Sequence, residues 1–186
     1  MPTLYLLIGS NQGDREALLQ QATDLIQLRI GSVVACSHFY ETAPWGKFAN
    51  GEEPQNFLNQ ALKVETFLSP HDALKEALSI EKQLGRLRID KTADRVYSSR
   101  PIDIDLIFYD SIVINTPDLT LPHPRMHLRR FVLEPLCDVA PTFVHPVFNK
   151  PLNLLLTECI DTCSCSRYCC PPWQLLPSTA PLLGKQ

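Results

Sequence analysis

Residues 101–108 read Pro-Ile-Asp-Ile-Asp-Leu-Ile-Phe, and no other stretch of the chain restricts the fold as tightly. Side chains of a strand alternate between its faces, so this octapeptide predicts a strand over Pro101–Tyr109 with Ile102, Ile104, Leu106 and Phe108 on one apolar face. Asp103 and Asp105 then share the opposite face, roughly 6.5 to 7 Å apart along the chain. Two carboxylates held that close repel each other and lose hydration, and a cation between them relieves both costs. An all-oxygen pair suits Mg²⁺, which keeps waters and completes its shell with phosphate oxygens. Taken alone, the pattern is better explained by a half-exposed strand with a solvated acidic edge.

The loop before that strand shifts the balance. Arg86, Arg88, Lys91, Arg95 and Arg100 stand within fifteen residues, opposed by only Asp90 and Asp94. Phosphoryl transfer needs this partnership of acidic metal ligands and arginines that neutralise charge developing in the transition state. The planar guanidinium suits phosphate because it can engage two oxygens at once.

The other elements set the fold class. Thr3–Ile8 reads as a buried strand, and Asp14 opens a helix with Leu18, Ala22, Leu25, Ile26 and Arg29 on one stripe. Ser32–Tyr40 is predicted as a second strand and Phe57–Phe67 as a third, with Leu58, Leu62 and Val64 facing one side. Ser69 caps a further helix, with Pro70 at its first position, Ala73, Ala77, Ile80 and Leu84 as its stripe, and Gly85 at its end. A short strand over Ile112–Asn115 and a helix from about Arg125 to Leu136, stopped near Pro135, follow. The elements lack the regular alternation of a doubly wound fold, which predicts an α+β sandwich with a mainly antiparallel sheet.

The composition excludes several classes. The 186 residues carry a formal net charge of −3, too little positive charge for a nucleic-acid surface. No apolar run approaches the ~18 residues of a membrane span. The first residues read as a strand rather than a secretion signal, so the expected location is the cytoplasm, with no nucleic-acid or membrane partner.

The stretch Glu41–Asn56 holds Pro44, Gly46, Gly51 and Pro54 with little periodicity, as functional loops do. It also carries Thr42, Trp45 and Phe48 and is followed by Phe57 and Asn59. Its aromatics either cover a flat ligand or pack the loop onto the body, and both readings stay open. His123, in Leu121-Pro122-His123-Pro124, either faces a nucleotide or lies on the surface. Glu81 either partners a basic group or is a boundary residue of its helix.

With these residues in view, the chain resembles the 6-hydroxymethyl-7,8-dihydropterin pyrophosphokinase family from about Leu4 to Pro146. The resemblance rests on GSNQGD, FYETAPWG with NFLNQA after it, IEKQLGR, RPIDIDLIFYD, LPHPRM and RRFVLEPL, in that order. It implies a ferredoxin-like α+β fold and transfer of pyrophosphate from ATP to the pterin alcohol in folate synthesis. It also implies two Mg²⁺ ions held by Asp103 and Asp105. Arg86 and Arg100 match phosphate-contacting arginines, and Arg88 and Arg95 lie in the corresponding loop. Thr42, Pro44, Trp45, Phe57, Asn59 and Phe131 match the pterin site, and Glu81 and His123 match positions near the nucleotide. Gly9, Ser10 and Asn11 match residues that brace the loops. ATP and the reduced pterin are the implied partners, with neighbouring folate-pathway enzymes as further candidates. One departure is Tyr97-Ser98-Ser99 before Arg100, where the family often has Trp-Gly-Pro.

Beyond Leu156 the sequence changes character. Residues 1–156 read as the catalytic domain and 157–186 as a weakly ordered tail rich in Cys and Pro. Cys159, Cys163, Cys165 and Cys169 offer four thiolates for zinc, though without paired C-x2-C spacing. A shifted reading frame or an unselected extension explains the tail equally well. Two rivals to the kinase reading remain. A non-catalytic nucleotide-binding module would not need both aspartates and the loop arginines together, and a metal-dependent hydrolase lacks a convincing general base.

Overall fold

The computed structural model describes residues 1–43, 55–86 and 99–168. Pro44, Trp45, Arg88, Arg95, the Tyr97-Ser98 part of the departure and Cys169 lie outside the described residues.

The main sheet is built on β1 (Thr3–Ser10) and β4 (Phe57–Glu65), which pair antiparallel from Thr3↔Glu65 to Ser10↔Leu58. On the other side of β1 lies β5 (Asp103–Tyr109), and on the other side of β4 lie β2 (Ser32–Cys36) and β3 (Tyr40–Thr42). With β8 (Cys165–Arg167) on the edge, the strand order is β5-β1-β4-β3-β8, with β2 also on β4, and each of these pairs is antiparallel. The expected α+β sandwich is therefore present. A two-stranded ribbon of β6 (Ile114–Asn115) and β7 (Thr120–Leu121) stands apart, followed by a cis peptide between Leu121 and Pro122.

Both faces of this sheet are covered, which is why β1 reads as a continuous apolar run. Leu4, Leu6 and Ile8 pack with α1 (Arg15–Arg29) and α2 (Pro70–Gln83). Tyr5 and Leu7 pack against α3 (Arg130–Val139) and α4 (Leu152–Glu158). Both leading caps form: the Asp14 carboxylate accepts from Ala17 N–H, and the Ser69 hydroxyl accepts from Asp72 N–H.

Several expected boundaries shift for identifiable reasons. In α1 the fully buried stripe is Leu19, Ala22 and Ile26, with Leu18 half-buried. The predicted second strand breaks in two at Ser37, whose N–H still donates to Ala61 O but whose hydroxyl accepts from Ala61 N–H at 2.9 Å. The predicted apolar face of β5 changes sides near its end. Leu6 pairs with Leu106 but Tyr5 with Phe108, so one extra residue of β5 is accommodated in a bulge. Ile102, Ile104 and Leu106 face the α1/α2 core, whereas Ile107 and Phe108 join the α3/α4 core. The helix expected over 125–136 is a short 3-10 turn, Met126–Leu128, followed by α3, which carries Pro135 inside it. Pro135 has no N–H to give the Phe131 carbonyl, yet it is buried and the helix continues past it.

No element was expected after residue 156, yet α4 runs across that point and Cys165–Arg167 forms β8 on the edge of β3. A strand of three residues is too short to show alternation in the sequence.

Candidate active site

The register of the sheet places the site. Gly9 of β1 pairs with Asp103 on one side and Asn59 on the other, and Asn59 pairs in turn with Tyr40. Residues far apart in sequence thus form one row across four strands, with a glycine at its centre. A Cβ on Gly9 would stand 2.6 Å from Asn59 Oδ1, so any larger residue there would displace the Asn59 amide. One register step on, Leu7 pairs with Asp105 and Ala61. The cleft over this row is lined by Gly9 and Leu7, by an ionic set (Asp103, Asp105, Arg100 and Arg129) and by a neutral set (Thr42, Ala43, Phe57, Asn59 and Phe131). These two walls meet where Arg100 lies near Phe57 and Arg129 near Phe131.

The first wall is ionic. Arg86 Nη1 donates to both Glu81 Oε1 and Asp103 Oδ1, and Arg100 Nη1 donates to Asp103 Oδ2 at 2.7 Å. Glu81 is almost fully buried and also accepts from Ile104 N–H at 2.9 Å, tying the end of α2 to the start of β5. Arg86 is therefore held between two carboxylates, and the nearby acids raise the pKa of its guanidinium despite burial that works downward.

Asp105 is different. Desolvation, followed by repulsion from Asp103, raises its carboxyl to about 7, against the pull of Arg100 and Arg129. Its charge is under-compensated by its own surroundings, as expected of a cation ligand. Among the described residues no three His, Cys, Asp or Glu side chains converge as a metal group. Asp103 and Asp105 thus offer two carboxylates only, and the rest of a shell would come from water and substrate oxygens. That donor set fits Mg²⁺.

Among the described residues, Arg100 Nε at this wall and His123 Nδ1 behind it are buried without a hydrogen-bond partner. The guanidinium of Arg100 lies 5.9 Å from the Phe57 ring centre. The imidazole of His123 is pushed down to about 4, first by burial and then by Arg129 and Arg125, so it is neutral near pH 7.

The second wall is neutral. Asn59 Nδ2 donates to Thr42 Oγ1 at 2.9 Å, both side chains being buried. Phe57 and Phe131 bring aromatic rings to the same cleft. Asn11 ties the walls together at their base: Nδ2 reaches Gln55 O at 3.4 Å and Ser99 Oγ at 3.2 Å, while Oδ1 accepts from Arg100 N–H at 2.8 Å. Its expected bracing role thus has a geometry.

Of the candidate residues, Thr42, Phe57, Asn59, Arg100, Asp103, Asp105 and Phe131 meet in one cleft. Arg86 and Glu81 join through Asp103, and His123 stands behind, its N–H bonded to Ile107 O at 3.0 Å. Arg129 was not among the candidates. It is buried, lines the cleft, and lies 5.5 Å from the Phe131 ring centre. Its signal was the cluster of basic residues in HPRMHLRR, which reads equally well as a helix start.

Known proteins are similar to this chain over most of its length. Residues 5–141 match the family described as 7,8-dihydro-6-hydroxymethylpterin-pyrophosphokinase. The chain is 44% identical over 152 residues to a 2-amino-4-hydroxy-6-hydroxymethyldihydropteridine pyrophosphokinase of Porphyromonas gingivalis, covering 81% of this chain and 99% of that one. It is 36% identical over 153 residues to the enzyme of the same name from Aquifex aeolicus, covering 82% and 89%. Among solved structures, a triple mutant of Plasmodium falciparum HPPK-DHPS superposes with a TM-score of 0.67 at 19% identity, over 84% of this chain and 44% of that one. That likeness concerns the fold, which is the ferredoxin-like α+β arrangement.

Proposed function

The chain belongs to the 7,8-dihydro-6-hydroxymethylpterin-pyrophosphokinase family, and from that premise we propose which of its residues carry the reaction. The protein is an ATP-dependent diphosphotransferase of folate biosynthesis. It moves pyrophosphate from ATP to 6-hydroxymethyl-7,8-dihydropterin, giving AMP and the pterin diphosphate. In the proposed arrangement the ionic wall takes the triphosphate and the neutral wall takes the pterin.

Asp103 and Asp105 hold Mg²⁺, with two ions expected. Bound there, Mg²⁺ would supply Lewis-acid charge that offsets the negative charge of the phosphates. Arg86 and Arg100 engage the phosphates, joined by Arg88 and Arg95 from the adjoining loop. Arg100 Nε has no partner among the described residues and so can donate to an added oxygen. Glu81 acts through Arg86, which it fixes, and the neutral His123 offers its unused Nδ1 on the nucleotide side, where Arg129 adds a further cation.

Asn59 and Thr42 hydrogen-bond the pterin edge, Phe57 and Phe131 stack on its flat ring, and Pro44 and Trp45 close the same side. The hydroxymethyl oxygen then faces the β-phosphorus. As its bond to phosphorus forms, the bond from phosphorus to the oxygen shared with the α-phosphate breaks, AMP leaves with that electron pair, and the hydroxyl proton is released. Positioning supplies much of the rate in such a transfer.

The observation that carries this reading is the row Asp103–Gly9–Asn59, which sets one carboxylate and the amide on the two strands flanking β1 with no side chain between them. We place this chemistry within residues 1–156. Among the described residues no helix is long and apolar enough to cross a membrane. A cytoplasmic setting beside other folate enzymes fits the fused form of the Plasmodium relative. AMP release measured with ATP and Mg²⁺, with and without the reduced pterin, tests the assignment of substrates. Release that requires the pterin is expected, and equal release without it would point to hydrolysis.

A further inference from the structure

The segment 159–168 touches both sides of the pterin wall, which neither its sequence nor the reaction requires. At one end it pairs with β3, in the register Tyr40↔Arg167, Glu41↔Ser166 and Thr42↔Cys165. The last pair sets Cys165 beside Thr42, the residue that accepts from Asn59 in the cleft. Tyr168 N–H extends the ladder to Phe39 O at 2.8 Å, and the Tyr168 ring packs onto the α1/α2 core.

At the other end the segment caps a helix. α3 begins at Arg130, next to Phe131, and its N-cap residue Arg129 gives no side-chain cap. Asp161 supplies one from the segment: Oδ2 accepts from Arg130 N–H at 2.9 Å while Oδ1 accepts from Cys163 N–H at 3.0 Å. A carboxylate at that position satisfies an otherwise orphaned donor and meets the positive end of the helix dipole. Burial works against the charge, but the hydrogen bonds from Arg130 and Cys163 outweigh it and hold the carboxyl below its ordinary range.

A third hold lies between these two. Tyr168 OH donates to Glu16 Oε1 at 2.8 Å, and the Arg15 guanidinium lies 5.8 Å from the Tyr168 ring centre. Arg15 Nη1 in turn donates to Glu41 Oε1 and to Asn56 O, each at 2.7 Å, the second just before Phe57. On the α3 side, Arg167 Nη2 donates to Asp138 Oδ1 at 2.9 Å, and Arg167 Nε donates to Tyr40 OH at 3.1 Å. The strap thus fixes Thr42, the approach to Phe57 and the helix start that presents Phe131.

We infer that Asp161 and the β8 strap through Tyr168 are positioning elements of the pterin subsite, setting the gap between its β3 side and its α3 side. None of these residues is placed at the reacting atoms, and among the described residues the strap makes no hydrogen bond or ion pair to Arg86, Arg100, Asp103 or Asp105, the part of the ionic wall away from the α3 start. The inference rests on assigning Thr42, Asn59 and Phe131 to the pterin. Its consequence is selective: loosening the strap weakens the pterin and leaves the nucleotide alone.

The test uses the full chain carrying Asp161→Ala, Asp161→Asn or Arg167→Ala. Pterin affinity is followed by fluorescence titration, nucleotide affinity by calorimetry, and KM for each substrate is set against kcat. Asp161→Ala is expected to raise the pterin dissociation constant about three- to tenfold, the range of a lost helix cap. Nucleotide affinity should stay within about twofold, as expected of a site the strap does not touch. Asp161→Asn, which keeps one acceptor oxygen, should recover part of the loss. Unchanged pterin affinity in both Asp161→Ala and Arg167→Ala overturns the inference, and so does equal weakening of both substrates, which would mean general loosening. Asn59→Ala separates the premise from the inference. If that change spares pterin affinity, the assignment of the wall fails and the strap has no pterin site to set.

Discussion

The two walls of the cleft are prepared for their ligands in opposite ways. On the ionic wall, charges neutralise one another before any substrate arrives: Arg86 lies between Glu81 and Asp103, and Arg100 is paired with Asp103. In the proposed reading triphosphate would enter by exchange, with Arg86 and Arg100 moving from Asp103 to phosphate and leaving Asp103 available to Mg²⁺ beside the under-compensated Asp105. On the neutral wall, the Asn59–Thr42 hydrogen bond already fixes the amide, and the rings belong to β4 and the start of α3. That side needs little rearrangement. A mutation on the ionic wall should thus strike the chemical step, and one on the neutral wall should strike binding.

The largest effect belongs to the acidic pair. Asp103→Ala or Asp105→Ala should lower kcat by about 10³-fold or more, because either change removes metal ligation and leaves phosphate charge uncompensated. Near-normal turnover at saturating Mg²⁺ would break the contrast at its root.

Next come the arginines. Arg100→Ala and Arg86→Ala should each reduce kcat by about 10²-fold, the usual scale for a preorganised electrostatic contact. A rise in KM for ATP with kcat intact would mean that they bind ground and transition states equally.

A smaller and purely binding effect is expected across the cleft. Asn59→Ala removes one hydrogen-bonding amide and should raise KM for the pterin by about tenfold, or about 1.4 kcal/mol. Steady-state kinetics with ATP saturating should find kcat nearly unchanged.

How far these walls could be read in the sequence follows from their construction. Asp103 and Asp105 were legible because both lie on one strand with a clean alternation, and alternation is local. The same rule misplaced Phe108, since the bulge opposite Tyr5 and Leu6 depends on a partner strand. Thr42, Phe57 and Asn59 drew notice from the loop composition without a decided role, and Phe131, on a helix far along the chain, was singled out only by the resemblance. Asp161 showed no signal, because a carboxylate capping a helix that begins 31 residues earlier has no local pattern. Arg129 was masked by a neighbouring arginine in a stretch that also starts a helix.

The body behind the walls gives the mildest effect. His145 is buried, and its Nδ1 accepts from Val147 N–H at 3.2 Å and Phe148 N–H at 3.3 Å. Burial, with a smaller push from His127, lowers its pKa to about 4. The unfolded chain binds this proton near pH 6.5, so the stabilisation is full above that value and is lost as pH falls toward 4, amounting to about 3 kcal/mol at most. Melting curves between pH 7 and 4.5 should show this slope, and His145→Asn should reduce it, with the part owed to the similarly lowered His123 remaining. If the slope is unchanged in the variant, other groups carry it and both walls stand on a body that His145 does not govern.

The division of labour between the walls is tested most directly by calorimetry on the wild-type and Asp105→Asn chains. One titration uses a non-hydrolysable ATP analogue with and without Mg²⁺, and another uses the pterin alone. The account predicts that the substitution abolishes the Mg²⁺ dependence of nucleotide binding while pterin affinity stays within about twofold, as expected of independent sites. Nucleotide binding that still requires Mg²⁺ in Asp105→Asn, or a pterin affinity that falls with it, would contradict the separation of the two walls.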